Sequence, residues 1–267
     1  MTKPNKHPHI ERYDHIGVGY GRRRQPDPRI ASVIFDGLGD AATLINVGAG
    51  AGSYEPRDRF VLAVEPSITM IRQRPYGSAP AVQARAERLP FPDGCFDAAL
   101  SVLTIHHWNA LRAGVREMRR VARDRVVVLT WDPDTERSWL GDYFSHLIEA
   151  DRKRFPPLTG LVSLLGHAHV APVKVPADCV DGFMGAYWRR PEEYLNPDVR
   201  AAMSSFASGQ SELALSRLKQ EIENGEWARK YGARLPEDEI DLGYRLIIAT
   251  SRHTDDSSGR ATRATIS

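Results

Sequence analysis

Only two cysteines, Cys95 and Cys179, occur in the 267 residues, and nothing about their spacing resembles a metal knuckle. A disulfide framework and a cysteine-held metal are therefore not expected, and a reducing cytoplasm is the expected location. No apolar run approaches the ~20 residues that span a bilayer, and Met1–Pro8 has no apolar core of a secretory signal, so no membrane partner is expected. The 36 basic and 34 acidic residues leave a net charge of +2, too mild to call for a nucleic acid. H-E-x-x-H, the P-loop and G-x-S-x-G are all missing, which removes the corresponding metal, nucleotide-hydrolysing and serine-hydrolase chemistries. No metal site is expected, and no pattern sets an oligomeric state.

What is present begins with Leu44-Ile45-Asn46-Val47-Gly48-Ala49-Gly50-Ala51-Gly52, followed by Val61-Leu62-Ala63-Val64-Glu65. This reads as a buried strand, a tight glycine turn, a short helix and a second buried strand ending in an acid. Glycines let the backbone approach a ligand closely, and a carboxylate at the next strand tip can hold a ribose diol. Asn46, Gly48, Ala49, Gly50, Gly52 and Glu65 are thus candidate contacts for a nucleoside cofactor. A glycine turn can also merely join strand to helix, and Glu65 can equally cap a helix near Pro66-Ser67. The spacing is G-x-G-x-G, which differs from the dinucleotide pattern G-x-G-x-x-G.

Downstream lies Ala86-Glu87-Arg88-Leu89-Pro90-Phe91-Pro92-Asp93-Gly94-Cys95-Phe96-Asp97, then apolar Ala98–Ile105 and His106-His107-Trp108. With the glycine turn and the strand-end acid, this series resembles the class I S-adenosylmethionine-dependent methyltransferases, in their bacterial small-molecule (type 11-like) group. The resemblance covers about residues 10 to 131. It implies S-adenosylmethionine as cofactor, a Rossmann-like doubly wound sheet of seven mostly parallel strands, and methyl transfer to an oxygen, nitrogen or carbon of a small-molecule acceptor. The alternatives are a non-catalytic S-adenosylmethionine-binding regulator and a nicotinamide oxidoreductase, the latter disfavoured by the Leu89–Asp97 block.

The resemblance also assigns residues. Asn46 stands where the family most often has an acid. Ala86 and Glu87 follow the third strand and would meet adenine, although Glu87 could instead pair with a neighbouring arginine. Ser101 belongs to the strand whose carboxyl end faces the methyl group. Tyr20, with Tyr13 and Arg22–Arg24, would form an arm over the cofactor. His106 is the candidate general base; the adjacent His107 should point elsewhere along an extended segment. Asp132-Pro133-Asp134 is not the N-P-P-Y signature of DNA amino-methylating enzymes.

Asp27-Pro28 is a helix start, and the helix should run to about Leu38 and stop at Gly39. Strands are expected at 44–48, 61–64, 81–84, 98–103 and 126–131, with helices at 52–57, 67–73 and 110–123 between them. Residues 1–27 form an arm, 28–133 the cofactor-binding core, and 134–176 a helical connection broken at Pro156-Pro157 and ending in strand-like His169–Pro176. Residues 177–240 read as a mostly helical cap interrupting the terminal strands, 241–251 as the last strand, and 252–267 as a disordered tail. In the cap, Tyr187 and Trp188 could line an acceptor pocket or form the cap's own core.

Overall fold

The computed structural model describes residues 24–135, 138–208 and 211–251. The first helix, α1 (Pro28–Leu38), begins as its sequence dictates: the Asp27 carboxylate accepts the Arg29 backbone N–H, and Gly39 ends the helix at φ 54°. Strands and helices then alternate: β1 (Thr43–Val47), β2 (Phe60–Val64), α2 (Ile68–Arg72), β3 (Ala81–Val82), β4 (Phe96–Val102), α3 (Leu111–Val121) and β5 (Ala122–Trp131). Beyond them come α4 (Leu140–Arg154), α5 (Leu158–Leu165), β6 (Ala168–Pro172), β7 (Val175–Pro176), α6 (Pro197–Ala201), α7 (Glu212–Glu223), α8 (Glu226–Tyr231), β8 (Glu239–Ile240) and β9 (Tyr244–Thr250).

Seven strands form one sheet in the order β3-β2-β1-β4-β5-β9-β6, with β9 antiparallel to both neighbours and β1 to β5 parallel. The connections reverse direction between β1 and β4, so a crevice opens beyond the carboxyl ends of those strands. Strand residues alternate between two apolar layers. Leu44, Leu100, Val127 and Leu129 pack with Ile34 and Leu38 of α1, while Ile45, Ala99, Val126 and Val128 pack with Val115 and Met118 of α3 and Leu161 of α5. Burial on both faces is why these strands read as continuous apolar runs.

Three expected elements differ. Residues 52–57 form a turn, for a reason given with the site below. His169–Pro176 divides: β6 joins the main sheet, whereas β7 pairs with β8 in a separate two-stranded sheet. Residues 177–190 contain no helix; a 3₁₀ helix follows at Pro191–Leu195, and the α-helices of the insert start at Pro197.

Tyr187 and Trp188 are core residues, 7% and 3% exposed, and this corrects their reading as acceptor contacts. The Trp188 indole N–H donates to Val175 O at 3.0 Å, Trp139 donates to Trp188 O at 2.7 Å, and Tyr187 meets the Tyr194 ring edge-on at 5.9 Å. Aromatic groups with a polar edge bury stably when that edge finds a carbonyl, as here. They anchor the insert to the same apolar layer that covers α1.

Candidate active site

The turn after β1 is held from both sides. Gly48 and Ala49 N–H donate to Val64 O at the tip of β2, at 2.8 and 3.0 Å. Gly48 has φ 75°, and a Cβ there would lie 2.5 Å from Thr104 Oγ1, so only glycine lets this turn pass the loop after β4. Gly50 has φ 53°, yet a Cβ there would meet only Met70 Cε, at 3.4 Å. Positive φ recurs at Gly52 and Tyr54, and four left-handed residues at alternate positions cannot continue as a right-handed helix. That geometry replaces the helix expected over 52–57. Gly52 passes against the Arg74 guanidinium and does not line the cofactor cavity described below.

Glu65 does both things its position allowed. Its Oε1 accepts the Ser67 N–H at the start of α2, and its Oε2 accepts the Gly50 N–H, each at 2.9 Å. The carboxylate, 7% exposed, therefore ties the glycine turn to the tip of β2.

Asn46 is buried on β1, and its Nδ2 donates to Glu55 Oε1 at 3.0 Å. Glu55 Oε2 in turn pairs with Arg74 at 2.6 Å, and Arg74 also donates to Ala79 O. An ionised carboxylate can only accept, so it takes the NH₂ side of the amide. Asn46 Oδ1 is left buried with no hydrogen-bond partner among the described residues. An aspartate at 46 would set two buried carboxylates against each other and raise a carboxyl pKa in the folded state. The folded state would then bind more protons than the unfolded one, so stability should fall as pH rises through that range. Asn46→Asp is expected to lose about 1–3 kcal/mol at neutral pH and less in acid, with adding Glu55→Gln restoring most of it. Urea unfolding across pH measures this, and a pH-independent loss would refute it.

Ala86 and Glu87 lie on the opposite side of the crevice. Among the described residues Glu87 pairs with no arginine; its Oε1 accepts the backbone N–H groups of Asn109 and Ala110 at 2.8 and 3.2 Å, holding the entry to α3. Ser101 does not reach the cavity. It is fully buried within β4, and Leu103 and Thr104, just beyond the strand, form the wall instead. Tyr13, Tyr20, Arg22 and Arg23 lie outside the described residues.

These parts enclose a cavity of about 1060 Å³ that includes its open mouth. A second, smaller cavity, of about 420 Å³ with its open mouth, adjoins it, and Arg24, Leu103 and His107 line both. Leu103 has φ 50°, an unfavourable conformation for a branched side chain and one that concentrates at functional sites. Its turn admits a single 3₁₀ turn, Ile105–His107. Consecutive residues of a 3₁₀ helix are about 120° apart, against about 180° in a strand. Hence His106 and His107 do not point apart as expected: their ring centroids are 3.9 Å apart and both line the second cavity. His106 is stacked on Phe155 at 3.8 Å, while His107 is the one placed where the cavities meet.

Tyr54 and Asp181 were missed in the sequence because their partners are far away in it, and Arg24, expected in an arm over the cofactor, is one of those partners. The Arg24 guanidinium holds the fully buried Asp181 at 2.6 and 3.3 Å across 157 positions, and Tyr54 donates its hydroxyl to the same carboxylate at 2.9 Å. Burial, with Asp181 alongside, pushes the Tyr54 phenol far above its ordinary range, so it remains a donor. Asp181, a lone acid among Cys179, Val180, Gly182 and Phe183, was the available signal.

The sheet order, the glycine turn, the fixed strand-end acid and the crevice define an α/β protein that binds a nucleoside cofactor. Residues 45–130 match the family described as "Methyltransferase domain". A crystallised protein of Anabaena variabilis, described as "Putative methyltransferase from antibiotic biosynthesis pathway", is 39% identical with a TM-score of 0.80, over 86% of this chain and 99% of that one. A SAM-dependent methyltransferase of Thermotoga maritima shares the fold, with a TM-score of 0.57 at 16% identity over 90% of this chain and 98% of the other. A demethylmenaquinone methyltransferase of Mycolicibacterium vanbaalenii is 31% identical over 124 residues, 46% of this chain and 50% of that protein. The chain spans half or less of the length of the curated relatives it matches. The chain belongs to the class I S-adenosylmethionine-dependent methyltransferases, in their type 11 group. S-adenosylmethionine is the cofactor this assignment carries, and the residues present fit it: an unfilled buried acceptor at Asn46, a backbone-held carboxylate at Glu65, and a glycine at 50 whose missing side chain keeps the cavity open.

Proposed function

We propose that this protein transfers a methyl group from S-adenosylmethionine to a small-molecule acceptor seated in the second cavity. The observation that carries this reading is the shared wall of Leu103 and His107: a cofactor cavity and a smaller cavity meet at one place. When bound, S-adenosylmethionine supplies an electrophilic methyl carbon on a positive sulfur, which leaves as a neutral thioether. Glu65 would hold the ribose diol, Asn46 Oδ1 would accept from a donor of the methionine part, and Ala86 with Glu87 would border adenine. The backbone around Gly48–Gly50 and the Leu103 turn would keep donor and acceptor in line, and such orientation is worth roughly 7–11 kcal/mol of barrier. His107, at the junction, would take the proton released when an acceptor O–H or N–H is methylated, with its neighbour His106 forming the wall. The acceptor is proposed to be a metabolite rather than a nucleic acid, since the second cavity is small and the chain's net charge is only +2. No helix among the described residues is long and apolar enough to cross a membrane.

Two measurements test the reading. S-adenosylhomocysteine should bind by calorimetry, and Glu65→Ala should weaken it by about 1–3 kcal/mol through lost charged hydrogen bonds. Labelled methyl from S-adenosylmethionine should pass to a component of a metabolite extract. Wild-type affinity in Glu65→Ala would sink the cofactor assignment, and binding without any transfer would favour a non-catalytic regulator.

A further inference from the structure

The second cavity carries enough chemistry to name a class of acceptor, given the reading above that this cavity is the acceptor site. Two of its elements are aromatic pairs: His106 stacked on Phe155 at 3.8 Å and 21°, and Phe183 edge-on to Tyr244 at 4.7 Å and 64°. Flat rings gain stacking and edge-to-face contact on such walls beyond what their area alone provides, whereas branched aliphatic groups do not. The cavity is small and open to solvent, which suits a compact ring system better than an extended chain.

The polar groups say what such a ring should carry. Asp151 is 1% exposed; its Oδ1 accepts Arg154 at 2.5 Å and its Oδ2 accepts Ser205 at 2.7 Å. Arg24, shared with the cofactor cavity, is held by Asp181. The Tyr244 hydroxyl donates to Met184 O. Arg154 lines the same cavity with its side chain 20% exposed, against 13% for Arg24, and gives its Nη2 to Asp151. The wall of the cavity therefore carries a partly exposed guanidinium in Arg154. The group that satisfies it best is an oxygen acceptor, and an anionic oxygen makes the stronger, charge-assisted bond.

We propose that the acceptor is a flat aromatic molecule of one or two rings bearing a carboxylate that binds Arg154, with the group to be methylated directed toward His107. The experiment uses the full chain saturated with S-adenosylhomocysteine, and calorimetry or ligand-observed NMR with five probes. These are 2-, 3- and 4-hydroxybenzoate, phenol (a ring without the anion) and cyclohexanecarboxylate (an anion without the aromatic ring). At least one hydroxybenzoate should bind more tightly than cyclohexanecarboxylate, and at least about tenfold more tightly than phenol, the loss expected for one charged hydrogen bond. Arg154→Gln should remove the margin over phenol and Arg154→Lys restore part of it, with the affinity for S-adenosylhomocysteine unchanged in both. Hydroxybenzoates binding no better than phenol, or a margin that persists in folded Arg154→Gln, would overturn the proposal. The wild-type panel decides the question should Arg154→Gln fail to fold, since Arg154 also pairs with Asp151. Failure of the wild type to bind S-adenosylhomocysteine is a separate result and counts against the functional reading itself.

Discussion

Gly50→Val is expected to abolish binding of S-adenosylhomocysteine while leaving the fold in place. The reason lies in what surrounds the position. Gly50 sits at φ 53°, where a β-branched residue is strained by about 1–3 kcal/mol, so the variant should unfold somewhat earlier. Its Cβ would meet no protein atom closer than Met70 Cε at 3.4 Å, so the packing itself is not broken. The added methyl groups enter the space that a nucleoside needs, and any backbone relaxation pulls the Gly50 N–H away from Glu65 Oε2, now at 2.9 Å. Both effects weaken ligand binding, together by at least about a hundredfold, which corresponds to roughly 2.8 kcal/mol. Gly48→Val makes a useful contrast, because its Cβ would strike Thr104 Oγ1 at 2.5 Å and should damage stability first. Calorimetry with far-UV circular dichroism separates the two. A folded Gly50→Val protein with wild-type affinity would mean that the ligand lies elsewhere.

The other large effect is expected at the histidine pair. His107 lines both cavities, whereas His106 lines only the smaller one and is stacked on Phe155. If His107 receives the acceptor proton, His107→Ala should lower kcat by roughly 10²–10⁴ and remove a near-neutral limb from the pH–rate profile. His106→Ala should mainly raise the acceptor KM and leave that limb in place, because it removes a wall and not the proton acceptor. The opposite pattern would return the base role to His106, the residue that sequence position alone favoured. A loss of less than tenfold in both variants, with an unchanged pH profile, would mean that orientation without a base suffices.

The reach of the sequence can be judged residue by residue. The first helix was legible to its ends, because Asp27, Pro28 and Gly39 act through bonds to backbone groups two or three positions away. The strands were legible because a stretch buried on both faces must be mostly apolar, as Val61–Val64, Ala98–Leu100 and Val126–Leu129 are. The Gly48–Gly50 turn and Glu65 were legible because the demand for positive φ and for an acid at a strand tip is local. Errors arose where one residue type serves two environments. Trp188 satisfies a core as readily as a pocket, and only the carbonyl of Val175 beside its indole N–H decided for the core. Ser101, on a buried strand, gave no sign of which way the wall would turn.

Sequence by itself determined the alternation of elements, the glycine turn, the strand-end acid and the family, since each rests on neighbours along the chain. The tertiary structure alone decided what the second cavity is made of. Asp151, Arg154 and Phe155 come from the end of α4, Phe183 and Ser205 from the insert, Tyr244 from the start of β9, and the two histidines from a single 3₁₀ turn. Arg24 and Asp181 meet across 157 positions. No local pattern records such meetings, because side chains drawn from distant segments acquire a common function only when burial of the apolar layers brings their backbones together.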